Sequence, residues 1–132
     1  MENEVVLLDT SILIEYYRKK DKSKSALFGL LQTPSIFAVS AVTHFEIYTG
    51  SSNEQSDFWN EFFQKITVLP FNAEISIEAA NIDAALKKKR KQIAIPDLFI
   101  AATAIHHNIP LVTLNKKHFE RVDKIQLVEQ TN

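Results

Sequence analysis

Apolar residues fall along this chain in short solid runs, separated by longer stretches in which they recur every three or four positions. The runs are Val5-Val6-Leu7-Leu8, then residues 35–40 (SIFAVS), 67–71 (TVLPF), 110–114 (PLVTL) and 125–128. Short apolar runs rich in β-branched side chains read as strands buried on both faces. Pro70 lacks a ladder donor, which places the third strand near an edge. The intervening stretches read as helices over residues 12–17, 21–32, 41–50, 54–66, 73–91 and 98–105. Residues 115–122 read as a loop with room for one helical turn. Thr10 or Ser11 can cap the first helix, and Gly50 suits the stop of the third. Phe58, Trp59, Phe62, Phe63 and Ile66 share one helical face, as do Ile75, Ala79, Ile82 and Leu86. Strands alternate with helices throughout. The pattern therefore predicts an α/β fold, one domain over residues 1–132, with a mostly parallel sheet covered on both faces.

Composition removes several function classes. The chain has no cysteine, which excludes disulfides, thiol catalysis and cysteine-bound zinc or iron–sulfur centres. Its two glycines, Gly29 and Gly50, cannot build a phosphate-cradling loop or a dinucleotide fingerprint. No apolar run approaches the ~20 residues of a membrane span. The opening Met-Glu-Asn-Glu carries acids where a secretory signal carries cations, so the expected location is the cytoplasm, away from membranes. A net charge of −1 exerts no global pull on a polyanion. Ten of the fifteen lysines and arginines nevertheless lie in two clusters, residues 18–24 and 87–91 (KKKRK). Helix C-termini attract cations, which accounts for both; beside a site that handles a polyanion they would also contact phosphates.

The acids carry the chemistry. Asp9 ends the first buried strand, where open α/β sheets place their ligands, although Asp is also a favoured helix cap. Glu46 sits inside the apolar stretch AVTHFEIY, just past the second strand. Asp97 follows Pro96, a residue suited to the first helical position, and precedes the least polar helix in the chain. Ionised carboxylates in apolar surroundings need a partner, and few cations lie near these three in sequence. A hard divalent ion, Mg²⁺ or Mn²⁺, is the economical one. No Ser-His-Asp arrangement is apparent, because Ser11 lacks a neighbouring base. His106 and His107 suit a helix C-terminus, and His44 falls on a different helix face from Glu46. The aromatic face around Trp59 reads as core, with a protein–protein surface as the competing reading.

Taken in order, LLDTSILIEY, SAVTHFEIYTG, IPDLFIAATAI and LVTLNKKHF resemble the PIN-domain ribonucleases, specifically the VapC-type toxins of bacterial toxin–antitoxin pairs, over essentially the whole chain. The resemblance implies a three-layer α/β/α sandwich and a metal-dependent endoribonuclease that hydrolyses RNA phosphodiester bonds to inhibit translation. It implies Asp9, Glu46 and Asp97 as catalytic metal-binding acids, with Mg²⁺ or Mn²⁺ as cofactor. Thr10, Ser11 and Thr43 match hydroxyls near the pocket, and Asn115 the polar residue after the fourth strand. The sequence departs where many relatives have a further acid and this chain has His118. His118 reads as a surface residue or substrate contact before a metal ligand, with Glu120 and Asp123 weaker substitutes for the missing acid. The implied partners are an RNA substrate, a cognate antitoxin and a second copy of the chain, with Tyr16, Tyr17, Leu27 and Phe28 as further contact candidates. Two rivals remain. A haloacid-dehalogenase-like phosphatase would need an acid where Ser11 stands; a non-catalytic PIN-like module binding RNA or protein would have lost its metal.

Overall fold

A computed structural model of the chain describes residues 4–129; the acidic opening, residues 1–3, lies outside them. Strands β1 (Val5–Leu8), β2 (Ile36–Ser40), β3 (Thr67–Leu69) and β4 (Leu111–Val112) form one sheet in the order β3-β2-β1-β4. Every pairing is parallel, with Val6 opposite Phe37, Leu8 opposite Val112 and Val39 opposite Val68. The predicted α/β fold is the one observed, and Pro70 does follow an edge strand. Side chains alternate across the sheet, as the two-residue period of a strand requires. Val6, Leu8, Val39 and Val112 pack on one face against Ile12, Leu13, Leu27, Ile47, Trp59 and Phe63. Leu7, Ala38 and Leu111 pack on the other against Leu86, Ile100, Ala101, Ala104 and Phe119. Both faces are therefore covered, which gives three layers.

The helices on the first face are α1 (Thr10–Arg18), α2 (Ala26–Leu31), α3 (Ala41–Thr49) and α4 (Asn53–Phe63). On the second lie α5 (Ala73–Lys88), α6 (Ile95–His106) and the short α7 (Lys116–Phe119). Trp59 and Phe63 of the aromatic stripe are buried; Phe58, Phe62 and Ile66 are half-buried over the same core.

Several boundaries differ from expectation, each for a local reason. The predicted helix over 21–32 is broken at Ser25. Its hydroxyl donates to the Lys22 carbonyl at 2.7 Å and accepts from Phe28 N–H at 3.2 Å, so a 3₁₀ turn (Lys22–Lys24) ends where α2 begins. Lys22 reaches back to the Tyr16, Tyr17 and Lys19 carbonyls at 2.8–3.0 Å and closes the C-terminus of α1. That is how at least one basic cluster serves a helix end. Helix α5 stops at Lys88 rather than residue 91, because Arg90 takes a left-handed conformation (φ 55°). Arg90 N–H then bonds Lys87 O and Lys91 N–H bonds Leu86 O, a Schellman closure. Asn108 (φ 54°) closes α6 in the same way before β4. Gly50 ends α3 at φ −92°, so its lack of a side chain is not required there. Helix α4 ends at Phe63 instead of residue 66. The predicted fifth strand, 125–128, reduces to an isolated parallel bridge between Leu111 and Leu127. No helix among the described residues is long and apolar enough to cross a membrane.

Candidate active site

The chain runs β1, β2, β3 outward on one side of β1, then returns to place β4 on the other. Adjacent crossovers therefore diverge between β1 and β4, and open sheets bind ligands beyond the carboxyl ends of strands at such a switch point. Asp9 ends β1 there. Its N–H bonds Val112 O at 2.9 Å, and the residue is only 2% exposed. It occupies the N-cap position of α1 without capping it, so neither Thr10 nor Ser11 caps the helix; both lie in its first turn. The Asp9 carboxylate is instead held from the side. Ser11 Oγ and Thr113 Oγ1 each donate to Oδ2 at 2.7 Å. These hydroxyls are fixed in turn by the N–H groups of Leu114 (3.1 Å) and Asn115 (2.9 Å). Oδ2 is thus committed, while Oδ1 accepts no hydrogen bond among the described residues.

Glu46 projects from α3. Thr10 Oγ1 donates to its Oε1 at 2.8 Å and lies 3.0 Å from Thr43 Oγ1, which the cap residue Ser40 also approaches at 3.5 Å. Thr43 is fully buried, so these hydroxyls form a fixed rail linking α1 to α3. Asp97 sits in the first turn of α6, with Pro96 opening the helix. Its carboxyl is pushed above the ordinary range. Burial is the largest cause, and the Asp9 and Glu46 carboxylates add to it, while His118 opposes them. His118, on α7, is half-exposed with Nδ1 3.6 Å from Asp97 Oδ2. Asp9, Glu46 and Asp97, far apart in the chain, thus act on one another across one site.

Asn115 is exposed at the start of α7 and meets the site through its backbone N–H, not through a side-chain cap. Thr113 is the member that sequence reasoning missed. Its signal was a hydroxyl at the end of an apolar run, the position Asp9 occupies after the first. Glu120 is exposed, and Asp123 is engaged by Lys89 at 3.1 Å. His44 packs with its ring tilted against Tyr48 and Phe63, and His106 stands 3.5 Å from Glu74.

Among the described residues no three acidic or imidazole side chains are set as a closed ion cage. The donor set still fits a hard divalent cation. Mg²⁺ keeps several waters and needs only one or two protein carboxylates, and a carboxyl raised in pKa by burial and by two neighbouring acids marks a place short of positive charge.

Known proteins share this sequence pattern and this shape. The PIN domain family model matches residues 6–125. The chain is 36% identical to Ribonuclease VapC1 of Methanocaldococcus jannaschii over 127 residues, covering 96% of this chain and 87% of that protein. The fold superposes on VapBC-1 from nontypeable Haemophilus influenzae with a TM-score of 0.79 and 26% identity, covering 95% of this chain and 97% of that one. It superposes on a toxin-antitoxin complex from Klebsiella pneumoniae with a TM-score of 0.71 and 25% identity, covering 96% and 99%. The chain belongs to the PIN-domain family, among the VapC ribonucleases.

Proposed function

We propose that the chain is a metal-dependent endoribonuclease, the toxin half of a toxin–antitoxin pair, which cleaves RNA and so inhibits translation. The gathering of Asp9, Glu46 and Asp97 at one switch point, close enough to raise the Asp97 carboxyl, carries this reading. Asp9 Oδ1, the Glu46 carboxylate and Asp97 would hold Mg²⁺ or Mn²⁺. Such an ion supplies Lewis acidity at the scissile phosphate and lowers the pKa of water. The protein's own part is orientation. Ser11 and Thr113 fix Asp9, Thr10 fixes Glu46 against Thr43, and the turn after Pro96 presents Asp97. Asn115 and His118 stand at the rim, where RNA would pass. A cognate antitoxin is a proposed partner, since solved relatives are VapBC and toxin–antitoxin complexes; a second copy of the chain is the other.

Attack by the substrate's own 2′-hydroxyl uses a base and an acid flanking the bond. His118 is the one imidazole placed beside these acids among the described residues. Water is therefore the nucleophile, and the products should carry a 5′-phosphate and a 3′-hydroxyl. Mass spectrometry of both new ends after cleavage with Mn²⁺ checks this; a 2′,3′-cyclic phosphate would refute it. Excess EDTA should stop cleavage and added Mg²⁺ restore it. Calorimetric titration with Mn²⁺ separates this reading from a non-catalytic module, which would take up no ion.

A further inference from the structure

Glu46 faces two places. Beyond the acid site, α3 meets α1 and α4 around a cavity of about 180 Å³, lined by Glu46 with Ile14, Tyr17, Arg18, Gln55 and Trp59 among others. At ~30 Å³ each that is room for roughly six waters. Its walls are mostly apolar. Trp59 is a buried floor, Ile14 an exposed rim, and Tyr17 is fixed edge-on against Phe58 with centroids 5.0 Å apart. The three hydrogen bonds from Lys22 hold the end of α1 that carries Arg18, so this wall is preorganised. Arg18 is exposed and has no ion-pair or hydrogen-bond partner among the described residues. Gln55 Oε1 accepts from Ser52 N–H (3.0 Å) in the capping box of α4, while its Nε2 donates to no described residue.

We propose that this cavity takes one base of a single-stranded RNA beside the scissile phosphate, with Gln55 reading its edge and Arg18 holding the adjoining phosphate. The inference rests on the ribonuclease reading above and names what that site selects. An unstacked base has apolar faces and a polar edge, which suits apolar walls with one free amide donor at the rim. Glu46 is common to both places, so an occupant sits next to the acids, where a polyanionic strand must run. The unpaired Arg18, followed by Lys19 and Lys20, supplies the charge for that strand.

The test uses the full chain and a pool of short single-stranded RNAs of random sequence. Gln55→Glu is the informative variant, because glutamate at this capping-box position keeps the acceptor for Ser52 but removes the amide donor. The wild type should prefer one base at a single position beside the cut, and Gln55→Glu should change that preference by about tenfold or more. Ile14→Ala should broaden it. Arg18→Ala should raise KM for all sequences alike and flatten the salt dependence, leaving the preference in place. Fluorescence anisotropy of the preferred RNA in EDTA gives a second readout, in which Gln55→Glu binds about tenfold more weakly. Identical preferences in the wild type, Gln55→Glu and Ile14→Ala would overturn the proposal. So would unchanged preferences accompanied by weakened capture of the antitoxin, which would assign the cavity to a protein segment. If the wild type cuts no RNA yet binding in EDTA remains base-selective and Gln55-dependent, the base pocket stands and the ribonuclease reading falls.

Discussion

At the end of β1 Asp9 is buried and accepts two hydroxyl hydrogen bonds, whereas at the start of α6 Asp97 has the His118 imidazole alone, 3.6 Å away, among the described residues. The first carboxylate is built into the fold through donors from α1 and from beyond β4. The second is pushed up in pKa by burial and then by two like charges in the same site. Hydrogen bonds to an ionised acceptor contribute about 1.5–3 kcal/mol each, so Asp9 is part of what holds the sheet edge together. Asp97 is a charge the fold tolerates. A site that concentrates its unpaired negative charge on one member keeps that member available for a ligand.

The largest separation of the two should come from replacing each. Asp97→Asn should abolish cleavage while the protein melts no lower at pH 7, because burial and two carboxylates no longer oppose a charge there. Asp9→Ala should also abolish cleavage but lower stability by about 1–3 kcal/mol, since the Ser11 and Thr113 hydroxyls lose their acceptor. Paired thermal melts and cleavage assays check this. Unfolding of Asp97→Asn would make Asp97 structural and erase the distinction.

Acidification sharpens the contrast. The folded Asp97 carboxyl titrates above its unfolded value of 3.8, so between the two values the native state binds more protons than the unfolded state. Stability contributed by this group therefore falls as pH rises through that window and grows as pH falls through it. Melting curves in EDTA, from neutral pH down toward 4, should show this favourable contribution in the wild type and lose it in Asp97→Asn. Thr113→Val probes the other side. Removing one of the two donors to Asp9 should cost about 1–2 kcal/mol and weaken Mn²⁺ uptake measured by calorimetry, with Thr113→Ser restoring both. The smallest effect belongs to His118→Ala. The side chain is half-exposed, so stability should change by less than about 0.5 kcal/mol. The lost imidazole should raise the Asp97 carboxyl further, visible by NMR titration. Mn²⁺ affinity that drops in His118→Ala at fixed pH, measured by calorimetry, would make His118 a ligand.

Much of the frame was legible along the chain. Solid runs gave β1 and β2 nearly to the residue, because a strand buried on both faces leaves a pattern that depends only on its own side chains. Asp9 after the first run and Asp97 after Pro96 were visible for the same reason: each marks a local junction between elements. The errors fell where a hydrogen bond overrode periodicity. Ser25 split a helix whose apolar spacing was unbroken, and Arg90 stopped α5 in a backbone conformation that lysine-rich sequence does not announce.

What the sequence determined by itself was therefore the alternation of strands and helices, the burial of both sheet faces and the acids at the element ends. Only the tertiary structure decided that β4 lies beside β1, and with it that Thr113 meets Asp9 across 104 positions of chain. A strand's apolar pattern is satisfied by any apolar neighbour and does not name one. Strand order is settled when crossovers, registers and packing close together, and the partners of each carboxylate follow from that closure.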